Sequence, residues 1–149
     1  MKKKHYLAAG AVLAALAVPF GWVQNNALTV SRYEYASEKV GRELDGLTIV
    51  QISDLHNHRF GAGQSRLLEA AAGLGPDLVV ITGDVVDCHR TDLAPALELV
   101  RGLAALAPVY YVTGNHEWVL PSRVRGELLA GLEKAGAVVL ENRTASVRS

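Results

Sequence analysis

The sequence predicts an α/β fold built on a mostly parallel sheet, in the order β-α-β-α-β-α-β. Four short runs rich in β-branched residues, at 47–53, 78–82, 109–113 and 137–140, are apolar almost throughout. Such runs are typical of strands that are covered on both faces. A helical pattern of apolar residues separates each pair of consecutive runs, so neighbouring strands are joined by right-handed crossovers and lie parallel. Half of the 149 residues are hydrophobic, which is ample for a core.

The first element along the chain is a predicted leader at residues 1–23. Three lysines at positions 2–4 precede the uncharged stretch "YLAAGAVLAALAVPFGWV", whose length is near the lower limit for crossing a bilayer. The pattern predicts a signal anchor that is retained, or a signal peptide that is cleaved at the small residues 15–17. The positive-inside rule then places the rest of the chain on the non-cytoplasmic side of the cell membrane, or exports it after cleavage.

A linker and one main domain are predicted to follow the leader. Residues 24–45 are polar and mixed in character, and this linker can include a first strand around Leu28 to Tyr35. The regular alternation of strand and helix patterns begins at Gly46, so the main domain is predicted to span residues 46–149.

Three helices are predicted between the four main strands. Their apolar positions run from 67 to 74, from 93 to 104 and from 124 to 135. Gly75-Pro76 ends the first helix, because proline cannot continue it. Asp92 can accept a hydrogen bond at the beginning of the second.

Composition and missing motifs exclude several functions. Fifteen basic and fifteen acidic residues balance each other, and no basic stripe suited to nucleic acid is present. The single cysteine, Cys88, excludes an internal disulfide and a zinc cluster built from cysteines. The sequence has neither a phosphate loop nor a G-x-S-x-G elbow. "GAGQSR" begins like a dinucleotide fingerprint, but Arg66 occupies its third glycine position, which disfavours a nucleotide-binding α/β domain.

Metal-compatible side chains follow the first three main strands. Asp54 and His56 come after the first, Asp84 after the second, and Asn115 and His116 after the third. In an extended segment, residues two apart point to the same side, so Asp54 and His56 can converge. Ligands of open α/β sheets bind beyond the carboxyl ends of the strands. Each group alone could be a polar turn, but together they predict a metal centre for Mn, Fe or Zn.

The three groups resemble a known family. "SDLH", "GDVVD" and "GNHE", each after a strand and in this order, resemble the first three signature blocks of the calcineurin-like metallophosphoesterases. The longer stretches "PDLVVITGDVVD" and "PVYYVTGNHE", together with the leader, are similar to the bacterial membrane-associated phosphodiesterase branch. The resemblance covers roughly residues 46–142. It implies the N-terminal half of an α/β/β/α sandwich, preceded by a transmembrane or signal helix.

The resemblance also implies a set of metal ligands. Asp54 and His56 would hold the first of two divalent ions, Asp84 would bridge both, and Asn115 would bind the second. The ions would be Mn, Fe or Zn.

Two further residues would act in catalysis by the same resemblance. His116 would not bind metal but would donate a proton to the leaving oxygen, and Asp87 would accept a hydrogen bond from His116 and keep it oriented. Glu117 is expected to support its loop rather than to bind metal. Cys88 stands where some relatives have an arginine that grips phosphate, so this contact is not carried over.

The activity implied is hydrolysis of a phosphomonoester or phosphodiester by a metal-activated water at a binuclear site. A membrane location favours a lipid-linked phosphoester as the substrate. The family pattern continues with a later histidine and a G-H-x-H block, whereas no histidine follows His116. The sequence therefore predicts an incomplete, N-terminal piece of such an enzyme. The alternative is a non-catalytic module, tethered to the membrane, that keeps the first half of the fold for binding.

Overall fold

The chain forms two compact units, Met1–Arg32 and Tyr33–Ser149. The computed structural model describes three stretches of it: residues 15–21, 27–90 and 92–147. In the first unit, residues 15–21 are helical. Most of the predicted leader lies outside the described residues. Within the described stretches, no helix combines the length and the apolar character needed to cross a membrane.

The second unit contains a four-stranded, all-parallel sheet. Its strands, in spatial as well as chain order, are β1 (Ile49–Ile52), β2 (Leu78–Ile81), β3 (Val109–Tyr111) and β4 (Ala137–Val139). Val79 of β2 pairs with Val109 of β3, which pairs in turn with Ala137 of β4. The parallel α/β sheet predicted from the four apolar runs is confirmed.

Four α-helices accompany the sheet: α1 (Ser65–Ala72), α2 (Ala94–Ala104), α3 (Asn115–Val119) and α4 (Ser122–Ala135). Three of them, α1, α2 and α4, are the predicted crossovers. At the beginning of α2 the Asp92 carboxylate accepts a hydrogen bond from Ala94 N at 3.0 Å, as predicted. The short helix α3 was not predicted, since "GNHEW" carries no apolar period. Two 3-10 turns lie at Arg42–Leu44 and Ala62–Gln64.

The core lies between one face of the sheet and the helices. Helix α2 contacts α1, α4 and β3, and α4 also contacts β4. Alternate strand residues such as Val79, Val109 and Tyr111 are buried on this face. The opposite face is partly exposed in the described part of the chain, and it carries Gln51, Val80, Tyr110 and Val138. The apolar runs predicted a sheet that is covered on both faces. Within the described part of the chain, helices cover one face and the other is partly exposed.

The strand predicted as an option around Leu28 to Tyr35 is not formed. Residues 27–37 have no regular structure. Tyr33 and Tyr35 are 93% and 82% exposed, so the segment buries little apolar surface. It also pairs with none of the described strands, and strand propensity depends on such packing.

Candidate metal centre

The loops after β1 and β2 run side by side at the carboxyl edge of the sheet. Asp54 N donates a hydrogen bond to Gly83 O at 3.2 Å, and His56 N donates to Asp84 O at 2.9 Å. Asp54, His56 and Asp84 have φ angles of 57°, 45° and 53°, a left-handed region that Asp, Asn and His tolerate better than most residues. The extended conformation predicted for the segment after β1 is therefore wrong, although its two side chains still converge.

The loops after β2 and β3 touch at two glycines. Gly83 has a φ of +91°, and a Cβ atom there would lie 2.5 Å from the Cα of Gly114. Gly114 in turn lies directly against the Asp84 side chain. Only residues without a Cβ permit this approach, which explains physically why a glycine precedes both Asp84 and Asn115.

A buried carboxylate joins the same two loops. Glu117 has no exposed surface. Its Oε2 accepts hydrogen bonds from Gly114 N at 2.6 Å and Asp84 N at 2.9 Å, and its Oε1 accepts from Val85 N at 2.9 Å and Val86 N at 3.4 Å. A buried charge is tolerated when several donors satisfy it. The prediction that Glu117 supports its loop is confirmed by these contacts, and its exclusion from the metal ligands stays a prediction.

The Tyr111 side chain is buried in the region of Glu117. Burial, and next the negative charge of Glu117, raise the pKa of the Tyr111 hydroxyl, which stays neutral. Among the residues with described positions, no hydrogen-bond partner of good geometry reaches this hydroxyl. Tyr111 thus anchors the end of β3 through packing, while Glu117 fixes the loop that follows.

Three side chains bring metal-compatible atoms together at the strand ends. One ligand atom each from His56, Asp84 and His116 lie within 4.8 Å of one another, and all three residues are half-buried. The two imidazole rings stand edge to face, with centroids 4.4 Å apart. His116 N donates to Asp84 Oδ1 at 2.8 Å and so holds that carboxylate in place. Two imidazoles and a carboxylate fit Mn, Fe or Zn.

The other two predicted ligands lie at the rim of this group. The Asp54 carboxylate is 63% exposed, and its Oδ1 lies 3.6 Å from His56 Nε2. Its other oxygen accepts a hydrogen bond from the Ser53 hydroxyl. Asn115 is exposed at the beginning of α3. His116, predicted as a catalytic residue and not a ligand, is the third member of the group. The ligand roles of all these residues remain predictions.

Asp87 and His116 are close, but the predicted hydrogen bond between them is not formed. Their polar atoms lie within 4.8 Å of each other. His116 Nδ1 instead accepts a hydrogen bond from Cys88 N at 3.2 Å, and Asp87 Oδ1 accepts from His89 N at 3.0 Å. That backbone donor is the main cause that lowers the pKa of Asp87, against the opposing effect of partial burial.

A buried amide, which sequence reasoning missed, fixes the far end of the loop after β1. Gln64 has no exposed surface. Its Oε1 accepts a hydrogen bond from Phe60 N at 2.9 Å, and its Nε2 donates to His58 O at 2.8 Å and to Pro95 O at 3.4 Å. Nothing in "GAGQSR" distinguishes a clamp from a solvated turn, because the partners are backbone groups. Arg59 in this loop is paired with Glu98 on α2 at 2.6 Å.

Comparisons with known proteins identify a family for this region. The family model of the calcineurin-like phosphoesterases matches residues 47–142, which include β1–β4 and all the residues of the candidate centre. No solved structure gives a significant match.

Curated relatives are similar over the same region. A transmembrane protein with metallophosphoesterase domain from Danio rerio is 33% identical over 87 residues, 57% of this chain and 20% of its own length. The uncharacterized metallophosphoesterase YkoQ of Bacillus subtilis is 31% identical over 98 residues, 64% of this chain and 36% of its own. The UDP-2,3-diacylglucosamine pyrophosphatase LpxG of Chlamydia trachomatis is 33% identical over 113 residues, 72% of this chain and 34% of its own. The chain thus spans about a fifth to a third of the length of these relatives. By the match of the family model, which covers more than half of its residues, the chain belongs to the calcineurin-like phosphoesterase family.

Proposed function

We propose that this chain carries the metal-binding part of a metal-dependent phosphoesterase that acts at the cell membrane. The observation that carries the proposal is the meeting of His56, Asp84 and His116, whose ligand atoms come within 4.8 Å at the carboxyl ends of the strands. Open α/β sheets bind ligands at this edge. Family membership makes phosphoester hydrolysis the chemistry that fits these donors.

Two divalent ions, Mn, Fe or Zn, are the proposed cofactors. Asp54 and His56 would hold one ion, Asp84 would contact both, and Asn115 would bind the other through its amide oxygen. When bound, such ions supply Lewis acidity that neutralises charge on a phosphoryl group and lowers the pKa of water. The Glu117 carboxylate keeps the backbone of Asp84 in position before any ion arrives.

His116 is the proposed proton donor. Its Nδ1 accepts the Cys88 N–H, so the neutral ring carries its proton on Nε2. To act as an acid the ring would first gain a second proton at Nδ1, with loss of this hydrogen bond, and then donate to a leaving oxygen. Asp87 would stabilise the positive ring by charge across the short distance between them, rather than through a hydrogen bond.

Membrane attachment through residues 1–23 is the proposed location. The three leading lysines and the uncharged stretch after them support it, and relatives from Danio rerio and Bos taurus are named as transmembrane proteins. A lipid-linked phosphoester is the proposed substrate class. The chlamydial relatives are named for hydrolysis of UDP-2,3-diacylglucosamine, a substrate with two acyl groups.

Fractionation of cells that express the full chain tests the location. We expect the chain in the membrane pellet after alkaline carbonate extraction, and a shift toward the supernatant when Leu16 is changed to arginine, since a central arginine costs about 2.5–3.5 kcal/mol on insertion. Wild-type chain found entirely in the cytoplasmic supernatant would contradict attachment and export alike.

Hydrolysis of bis-p-nitrophenyl phosphate with added Mn²⁺ tests the activity. We expect metal-dependent turnover that falls at least about 100-fold in Asp84→Asn, because a ligand matters at least as much as the outer partners that tune a metal site. His116→Gln should lose about 10²–10⁴-fold, the usual contribution of a general acid. Glu133→Gln, an exposed change on α4, is the matched control.

Manganese binding measured by calorimetry on the same variants distinguishes a phosphoesterase from a non-catalytic binding module. Binding without turnover would favour the non-catalytic module. Turnover that persists in Asp84→Asn would contradict the proposed site, as would the absence of manganese binding in the wild type.

A further inference from the structure

A second group of metal-compatible side chains lies next to the candidate centre. One ligand atom each from Asp87, Cys88 and His116 lie within 4.8 Å of one another, and all three residues are half-buried. This group differs from the first in chemistry, because it adds a thiol to an imidazole and a carboxylate. Cys88 is the only cysteine of the chain, but one thiolate is enough for a mixed-ligand site.

We propose that Asp87, Cys88 and His116 form a binding site for a soft divalent cation such as Zn²⁺. Thiolate, imidazole and carboxylate are the three ligand types that zinc takes in proteins. Harder ions such as Mn²⁺ prefer oxygen donors and would be expected at Asp84 instead. The group with Cys88 would therefore bind softer cations, and the adjacent group with Asp84 would bind harder ones.

The distances allow such a site with small movements. Zinc bonds of about 2.0–2.3 Å place the ligand atoms of a tetrahedral site roughly 3.3–3.8 Å apart. Atoms within 4.8 Å of one another need to close by about an ångström. The partial exposure of all three residues permits this movement, and it leaves the fourth position accessible to water.

The existing contacts of the three side chains are weak enough to yield. His116 Nδ1 faces Cys88, since it accepts the Cys88 N–H, and this bond is long at 3.2 Å. A neutral hydrogen bond contributes little net stability, far less than the free energy released when zinc binds a site of this kind. Asp87 keeps one oxygen on His89 N, while the other lies 3.9 Å from Arg90 Nε and is not tightly held. Binding at Nδ1 would leave the proton of His116 on Nε2.

Cadmium titration followed by ultraviolet absorption tests the proposal, because a thiolate bound to Cd²⁺ gives a charge-transfer band. We expect a band that saturates at one ion per chain and that added Zn²⁺ removes. Cys88→Ser should abolish it. Asp87→Asn and His116→Gln should each weaken cadmium binding at least about tenfold, as loss of a partner in a metal site does.

Asp84→Asn is the matched control, because it alters only the first group and keeps an oxygen that can accept the His116 N–H. It should change cadmium affinity less than about threefold while it abolishes manganese binding, which separates loss of the first group from loss of the second although both include His116. The rate of Cys88 alkylation by iodoacetamide gives a second readout, and Zn²⁺ should slow it in the wild type but not in Asp87→Asn. Absence of the band, or cadmium affinity unchanged in both Asp87→Asn and His116→Gln, would reduce the site to a lone thiol and overturn the proposal.

Discussion

The two sides of the candidate centre are held in different ways. On one side, the loops after β2 and β3 are fixed by the buried carboxylate of Glu117, which accepts hydrogen bonds from four backbone N–H groups. On the other side, the Asp54 side chain is 63% exposed, and among the described residues its carboxylate has a hydrogen bond from Ser53 and an ion-pair contact with His56. The difference indicates that folding alone holds Asp84 in place, whereas the Asp54 side chain is free to move.

This arrangement divides the free-energy cost of positioning the two carboxylates, Asp84 and Asp54, into separate parts. Positioning Asp84 is part of folding, because the carboxylate that accepts its N–H also accepts from Val85 N and Val86 N, whose side chains are buried in the core. If Asp54 is a ligand, its positioning would be left to metal binding, since few polar contacts are lost when its side chain turns. Mutations on the two sides should therefore separate stability from metal affinity.

Glu117→Gln should have the largest effect on stability. The amide keeps one acceptor oxygen but turns its NH₂ toward backbone donors, which leaves buried N–H groups without a partner. We expect the free energy of unfolding to fall by about 3–5 kcal/mol, as when one member of a buried charged network is removed. Urea denaturation followed by circular dichroism measures it.

The matched control for this change is Glu127→Gln. Glu127 pairs with Arg123 at 2.9 Å on the exposed side of α4, and such pairs contribute about 0.3–0.5 kcal/mol. Equal losses of unfolding free energy in the two variants would contradict the stabilising role assigned to the buried Glu117 carboxylate.

Gly83→Ala should come next. The φ of +91° and the contact with Gly114 leave no room for a methyl group, so strain and overlap together should destabilise the fold by about 2–3 kcal/mol. Gly126→Ala on α4, where a Cβ atom meets nothing within 4 Å, should instead stabilise the fold by up to about 1 kcal/mol. Thermal unfolding of both variants measures these changes in stability. A loss of stability in Gly126→Ala as large as that in Gly83→Ala would contradict the structure.

Gln64→Ala should have an intermediate effect on the loop after β1. It removes a buried clamp on Phe60 N and His58 O and leaves both groups unsatisfied, at a cost of about 2 kcal/mol. Gln51→Ala removes an exposed amide whose hydrogen bond within the described part of the chain is to the Thr82 hydroxyl, and it should change stability by less than about 0.5 kcal/mol. Hydrogen exchange at residues 58–60 reports the local loosening, and unchanged protection there in Gln64→Ala would refute the clamp.

Asp54→Asn should have the smallest effect on stability and a large one on metal binding. Because the side chain is exposed, the free energy of unfolding should change by less than about 0.5 kcal/mol. If Asp54 is a ligand, manganese affinity should fall at least about tenfold. Calorimetric titration together with urea denaturation measures both quantities. A large loss of stability with unchanged metal affinity would reverse the proposed division between the two sides.

The sequence predicted the sheet well, because β-branched runs separated by helical periods are a strong signal. It also placed Asp54, His56, Asp84, Asn115, Asp87 and His116 near one edge, since parallel strands share their carboxyl ends. It could not predict α3, whose five residues have no apolar stripe, or the left-handed backbone at Asp54 and His56. The supporting role of Glu117 was predicted by resemblance, but its four backbone partners were not, and the clamp formed by Gln64 was missed altogether. Backbone partners leave no trace in the pattern of side chains.

Anomalous scattering from crystals soaked in MnCl₂ tests the central claim most directly. The claim is that the ends of β1, β2 and β3 gather metal ligands around one position. The predicted result is a manganese peak bonded to the Asp84 carboxylate and to His56, with Asp54 moved in from its exposed position. Manganese bound only elsewhere on the molecule, or no peak at the strand ends at a saturating concentration, would contradict it.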